Sequence, residues 1–107
     1  MNHFINWQEH VRSQSEKFYK TTLWPGEHVM IGLNCLEAGQ SQSLHAHPGA
    51  DKFYFVLEGR GKFTVGSEES EAGAGTLVLA PSGIPHGVTN DKSERLSLLV
   101  TIAPPFK

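Results

Sequence analysis

The sequence predicts an all-β fold, a sandwich or barrel of short strands with a short helix at the N-terminus. Short apolar runs alternate with turns rich in Gly, Pro, Asn, Asp and Ser, such as WPGE, EAGQ, PSGIP and NDKSE. No long helical period follows residue 16. Eight or so strands with no helices between them are typical of sandwiches and barrels.

The helix is predicted over WQEHVRS, residues 7–13. Asn6 is a suitable N-cap, and Glu9 three residues later completes a capping box. After this helix the predicted strands are 18–24, 28–36, 42–46, 52–58, 61–65, 68–72, 76–80, 86–90 and 95–103.

Two of these strands flank the turn EGRG, and this pattern predicts a β-hairpin that brings Phe63 near Val56. Within 52–58, alternation predicts that Lys52, Tyr54 and Val56 face the interior. The other face, with Phe53, Phe55 and Leu57, is too apolar to remain in water. We therefore expect the terminal segments or a second subunit to cover it, and favour a homodimer.

Composition limits the classes of function. The 107 residues predict one domain, 1–107, and a net charge of −2 gives no basic surface for nucleic acid. The sequence shows no signal peptide pattern and no apolar stretch long enough to cross a bilayer, which favours a cytoplasmic protein without a membrane partner. The single cysteine, Cys35, lies in an apolar run and is predicted to be a buried, inert thiol.

Three histidines stand in segments rich in glycine and proline. His45 and His47 are two residues apart, so on a strand their side chains point to the same side. Strand pairing could bring His86, some forty residues downstream, to the same place. Three imidazoles are a plausible shell for Zn, Mn, Fe, Ni or Cu, although hydrogen-bonded histidines without a metal are the common alternative. The other three, His3, His10 and His28, are predicted to lie on the surface.

Two segments resemble the paired motifs of the cupin family. Residues 39–59, GQSQSLHAHPGADKFYFVLEG, resemble the first motif, G-x5-H-x-H-x3–4-E-x6-G, at every fixed position except the glutamate. Residues 75–90, GTLVLAPSGIPHGVTN, resemble the second motif, G-x5-P-x-G-x2-H-x3-N, at every fixed position. Gly39, Gly59, Gly75 and Gly83 are expected where strands must turn.

The resemblance implies a small single-domain cupin, a jelly-roll barrel also called a double-stranded β-helix. It further implies that His45, His47 and His86 bind a divalent transition metal, and that the ligand or substrate is a small molecule. Cupins include dioxygenases, isomerases, decarboxylases and lyases, so the resemblance leaves the reaction, and whether there is one, open.

Lys52 occupies the position of the missing glutamate. A lysine ammonium about 5 Å from a divalent ion is repelled by roughly 7 kcal/mol at an effective dielectric constant of about 20. Lys52 could point away from the ion, become neutral, or pair with Asp51 or Glu58. Alternation places Asp51 on the opposite face, so a bulge would be needed for it to act as a substitute ligand.

Two functions follow from this substitution. With a metal present, Lys52 is a candidate catalytic residue that holds a substrate carboxylate or donates a proton. Without a metal, the protein is a small-molecule or anion-binding cupin in which Lys52 takes the place of the cation.

Overall fold

The structure is a computed structural model that describes residues 2–105, and this part of the chain forms nine strands. The strands are β1 (Tyr19–Pro25), β2 (Met30–Leu36), β3 (Ser41–His45), β4 (Asp51–Glu58), β5 (Arg60–Val65), β6 (Glu68–Gly73), β7 (Leu77–Ala80), β8 (His86–Thr89) and β9 (Leu96–Ala103). All of the predicted strands are confirmed, with small differences at their ends.

The strands form two antiparallel sheets that face each other. One sheet has the order β1-β2-β9-β4-β7, and the other has the order β3-β8-β5-β6. Strands that are neighbours in sequence mostly lie apart in the sheets, as in a jelly-roll barrel. The predicted fold class is confirmed.

The N-terminal helix is shorter than predicted. It is a 3-10 helix over Trp7–His10, and the Asn6 side chain accepts a hydrogen bond from the backbone N–H of Gln8 at 3.0 Å. Val11 is extended, with ψ of 134°, so the helix ends at His10. The predicted cap is confirmed, but the predicted continuation to residue 13 is wrong.

The predicted hairpin at EGRG is also wrong. At Gly59 the chain leaves the sheet of β4 and enters the sheet of β5, so these two strands do not pair. Gly59 has φ of +83°, and a Cβ there would lie 2.2 Å from the carbonyl oxygen of Arg95. Phe63 therefore meets β4 from the opposite sheet, with its ring centroid 5.6 Å from that of Tyr54.

The core lies between the sheets, and the predicted alternation of β4 is confirmed. Lys52, Tyr54 and Val56 are buried, whereas Phe53, Phe55 and Leu57 are half-buried on the other side. The largest side chains of the core are those of Tyr54, Phe63, Leu36, Leu96, Leu98 and Ile102.

The outer face of the five-stranded sheet is covered unevenly. Cys35 is 1% exposed, which confirms its predicted burial, and its neighbour Leu33 is fully buried. At the other edge, Leu77 and Leu79 on β7 are 52% and 60% exposed. No helix within residues 2–105 is long and apolar enough to span a bilayer.

Candidate metal centre

Strand pairing brings His45 and His86 together. His45 is the last residue of β3, His86 is the first residue of β8, and the two are register partners across the sheet. Their ring centroids are 4.3 Å apart. Pairing of β3 with β8 therefore brings together two histidines that are separated by forty residues in the sequence, as predicted.

His47 lies beyond the end of β3, so alternation along a strand does not place it. Hydrogen bonds connect the loop of His47 to the loop that precedes β8, and these contacts position His47 instead. The carbonyl oxygen of His47 accepts from the N–H of Gly83 at 3.4 Å, and the N–H of Gly49 donates to the Ser82 hydroxyl at 2.9 Å. Asp51 continues this link, because its carboxylate accepts from the N–H of Ser82 at 3.0 Å.

The three histidines form one cluster. The ring centroid of His47 lies 4.7 Å from that of His45 and 5.5 Å from that of His86. One ring nitrogen from each histidine lies within 4.8 Å of the other two. The predicted surface histidines His3, His10 and His28 are exposed, which confirms that prediction.

Backbone hydrogen bonds determine which ring nitrogens face the cluster. Nδ1 of His45 donates to the carbonyl oxygen of Ser43 at 2.9 Å, and Nδ1 of His86 donates to that of Ile84 at 3.0 Å. A carbonyl oxygen can only accept, so Nε2 of each neutral ring keeps its lone pair. Among residues 2–105, Nε2 of His86 is buried without a hydrogen-bond partner.

The surroundings favour the neutral forms of His47 and His86. Burial, followed by the charge of Lys52, lowers the pKa of His47 to about 4. Burial is also the main cause that places the pKa of His86 below its ordinary value, and the charge of Lys52 contributes. Neutral imidazole is the form that binds metal ions.

Lys52 lies beside this cluster and is 5% exposed. Its Nζ is 3.3 Å from Nε2 of His45 and 4.6 Å from the ring centroid of Tyr54. Burial and, secondarily, the charge of Lys20 lower the pKa of Lys52 to about 8. The side chain is therefore still mostly an ammonium at pH 7, which donates to His45 Nε2.

Of the alternatives open for Lys52, pairing with Asp51 or Glu58 is not what the structure shows. No salt bridge of Lys52 occurs in the described part of the chain, since Asp51 is exposed and binds the Ser82 N–H. The Glu58 carboxylate instead accepts from Arg95 at 3.1 Å and from the Ser97 hydroxyl. Asp51 is also not among the clustered ligand atoms.

A cavity of about 530 Å³ opens beside His45, His47 and Lys52. Tyr54 and Phe63 belong to the core rather than to its lining, as expected from packing. Among the polar lining residues that the sequence did not single out are Lys20 on β1 and Asn34 on β2. Asn34 could have been noticed as the one amide within the apolar run MIGLNCL.

The donor set fits a transition metal. Neutral imidazole nitrogens are ligands for Zn, Cu, Fe and Ni, and the lone pair of His86 Nε2 has no partner among the described residues. Binding at all three rings requires one change, because the Lys52 ammonium lies against His45 Nε2. The lysine stem is flexible enough to move the ammonium aside.

Comparisons with known proteins agree with this fold. The cupin domain family matches residues 32–102. An uncharacterized protein of Streptomyces coelicolor is 38% identical over 77 residues, which cover 72% of this chain and 71% of that protein.

Two solved structures are similar over nearly the whole chain. One, from Thermus thermophilus, is 37% identical with a TM-score of 0.91 and covers 94% of this chain and 96% of that one. The other, an RmlC-like cupin protein from Desulfovibrio desulfuricans, is 31% identical with a TM-score of 0.86 and covers 99% of this chain and 100% of that one.

Proposed function

Since this chain belongs to the cupin family, we propose that His45, His47 and His86 hold one divalent transition metal ion and that a small metabolite binds there. The ion is Mn, Fe, Ni, Cu or Zn. The observation that carries the proposal is the buried Nε2 of His86, which lacks a hydrogen-bond partner in residues 2–105. Burying such a group without a partner costs about 1–3 kcal/mol, and a bound ion removes that cost.

The chain's own groups then act on the metabolite. The metal, when bound, supplies Lewis acidity and open positions for substrate oxygen atoms. Lys52, displaced from His45, is the nearest cation, and we propose that it holds a substrate carboxylate or donates a proton to the substrate. The substrate and the metal decide whether the reaction is of the dioxygenase, isomerase or lyase type, because the cupin fold hosts all of these.

Metal titration tests this proposal. Isothermal titration calorimetry at pH 7 with Zn²⁺ and Mn²⁺ is expected to give one ion per chain. His86→Ala removes one of three protein ligands, so we expect its affinity to fall on the order of 100-fold or more. His28→Ala is the matched control, because His28 is exposed outside the cluster. Equal affinities of the wild type and His86→Ala would contradict the proposal.

A specific contact favours a second function. Lys52 Nζ already lies 3.3 Å from the nitrogen of His45 that a metal would use. In this alternative the protein is a metal-free, non-catalytic module that binds an anionic small molecule at the lysine. Small anions would then raise the melting temperature, while incubation with metal ions would leave no metal bound.

We also propose that the chain is a single domain that forms a homodimer. The half-buried and exposed apolar side chains of β4 and β7 support the dimer, because such a face is costly in water. The net charge of −2 gives no reason to expect nucleic acid as a partner. A cytoplasmic location stays a prediction from the sequence.

A further inference from the structure

The cavity beside the histidines is cationic, although the chain as a whole is slightly acidic. Lys20 and Lys52 line it together with His45 and His47, and no Asp or Glu from residues 2–105 does so. The net charge of the whole chain is −2. The charge of the lining is therefore positive, opposite in sign to the net charge of the chain. A cavity with such a lining attracts small anions.

The two lysines enter the cavity from different places. Lys52 lies on β4, where its register partner is Ile102 of β9. Ile102 is in turn the register partner of Met30 on β2, so Lys52 and Met30 lie in the same row across the sheet. Lys20 lies on β1 and is the register partner of Asn34. Four residues along β2 span roughly 13 Å, and the three strand spacings from β1 to β4 add about 14 Å across the sheet, so the two lysine backbones lie about 19 Å apart. Both side chains extend into the cavity between them, and the charge of Lys20 acts on Lys52 there.

Asn34 points to a ligand at the Lys20 end. It is only 6% exposed and lines the cavity, yet its side-chain amide has no hydrogen bond among the described residues. Asn90 shows the contrast, because its buried amide donates to the carbonyl oxygens of Leu36 and Glu94 and accepts from the N–H of Lys92. The amide atoms of Asn34 are not among the buried atoms without a partner, so this amide is open to the cavity and available to a ligand there.

The wall between the two ends is mainly apolar. Met30, Val100 and Ile102 line it, and Gly32 leaves its middle without a side chain. A Cβ on Gly32 would meet only the carbonyl oxygen of Thr21, at 3.3 Å. This wall suits a short hydrocarbon segment, and the polar groups at its two ends suit two anionic groups.

We infer that the cavity binds a short-chain dicarboxylate, with one carboxylate at Lys52 and the other at Lys20 and Asn34. The inference rests on the proposed function in taking the histidine cavity as the ligand site. It adds the class of ligand and two residues that select it.

Calorimetry on metal-free protein at pH 7 tests the inference, with glutarate and butyrate as probes. Metal-free protein is used because a dicarboxylate also chelates metal ions in solution. We expect glutarate to bind at least about fivefold more tightly than butyrate, the equivalent of one additional ion pair of about 1 kcal/mol.

Two test variants, Lys20→Met and Asn34→Leu, separate the preference for a dicarboxylate from the binding of any carboxylate. Lys20→Met is expected to reduce glutarate affinity to the level of butyrate and to leave butyrate affinity unchanged. Lys17→Met is the matched control, since Lys17 is exposed and does not line the cavity. Asn34→Leu keeps the branched shape of the side chain without its polar atoms and is expected to weaken glutarate binding alone.

The inference is overturned if glutarate and butyrate bind equally, or if Lys20→Met retains the preference for glutarate. Failure of the proposed metal site is a separate result. It would appear as loss of metal binding in the titration, which Lys20→Met is expected to leave intact because Lys20 is not among the clustered histidines.

Discussion

Lys52 is the residue at which this site departs from the first cupin motif. Its ammonium is buried against His45 Nε2, so bound metal and bound lysine compete for one nitrogen. The pKa values of His47 and His86 are lowered, which favours their neutral forms and leaves Lys52 as the charged group in contact with the cluster. In the proposed site, Lys52 is therefore the side chain that most directly opposes a bound cation.

Lys52→Glu is expected to strengthen metal binding. The change removes a positive charge next to the ion and adds the carboxylate ligand that the motif normally has. We predict an increase in affinity on the order of 100-fold, measured by competition with a chelator. Lys17→Glu is the control for net charge, because Lys17 is exposed outside the cavity. An unchanged or lower affinity in Lys52→Glu would show that Lys52 does not oppose the metal.

Residue types and motif spacing predicted the histidine cluster but not its surroundings. His45 and His86 meet because their strands pair, while His47 is placed by contacts between loops. The position of the Lys52 ammonium depends on a flexible four-carbon stem, which spacing alone does not determine. Asn34 and Lys20 were missed because they reach the cavity only through the order of strands in the sheet.

At the scale of the elements, local patterning predicted where strands occur but not which strands pair. Turn residues and alternation gave the strands, since both act over a few residues. Pairing is non-local: β9 lies between β2 and β4, although it is the last strand in the sequence. The hairpin predicted at EGRG was wrong because pairing is non-local. Gly59 carries the chain from the sheet of β4 to the sheet of β5, and the two strands do not pair.

Gly59→Ala is expected to destabilise the fold more than a matched glycine substitution. Gly59 and Gly39 have the same φ of +83°, but a Cβ on Gly39 meets nothing within 4 Å. The backbone conformation alone costs about 1–2 kcal/mol for alanine. The overlap with Arg95 should bring Gly59→Ala to at least about 3 kcal/mol. Urea unfolding measures both, and equal losses would contradict the crossing described at Gly59.

At the scale of the whole molecule, the outer face of the five-stranded sheet is the surface through which the proposed dimer would form. Leu79 is 60% exposed and is the register partner of Phe53, so the two form part of one apolar surface. Stable interfaces bury roughly 800 Å² from each partner, and a charge at the centre of one is costly. The histidine cavity of each protomer would remain open in this dimer, because it lies on the inner side of the sheet.

Leu79→Glu is expected to convert the proposed dimer into a monomer at micromolar concentration. Leu44→Glu is the control, because Leu44 is 61% exposed on β3 in the other sheet. Sedimentation velocity distinguishes the two species. A wild-type protein that is monomeric at micromolar concentration would contradict the proposed dimer.

The central claim is that the imidazoles of His45, His47 and His86 hold a transition metal ion despite the adjacent lysine. Elemental mass spectrometry of untagged protein, purified without a metal-affinity column, tests it most directly, with His86→Ala measured alongside. We predict close to one transition metal ion per chain in the wild type and a large loss in His86→Ala. Wild-type protein that holds no metal, even after incubation with Mn, Fe, Ni, Cu and Zn, would contradict the claim and leave Lys52 as the cation of the site.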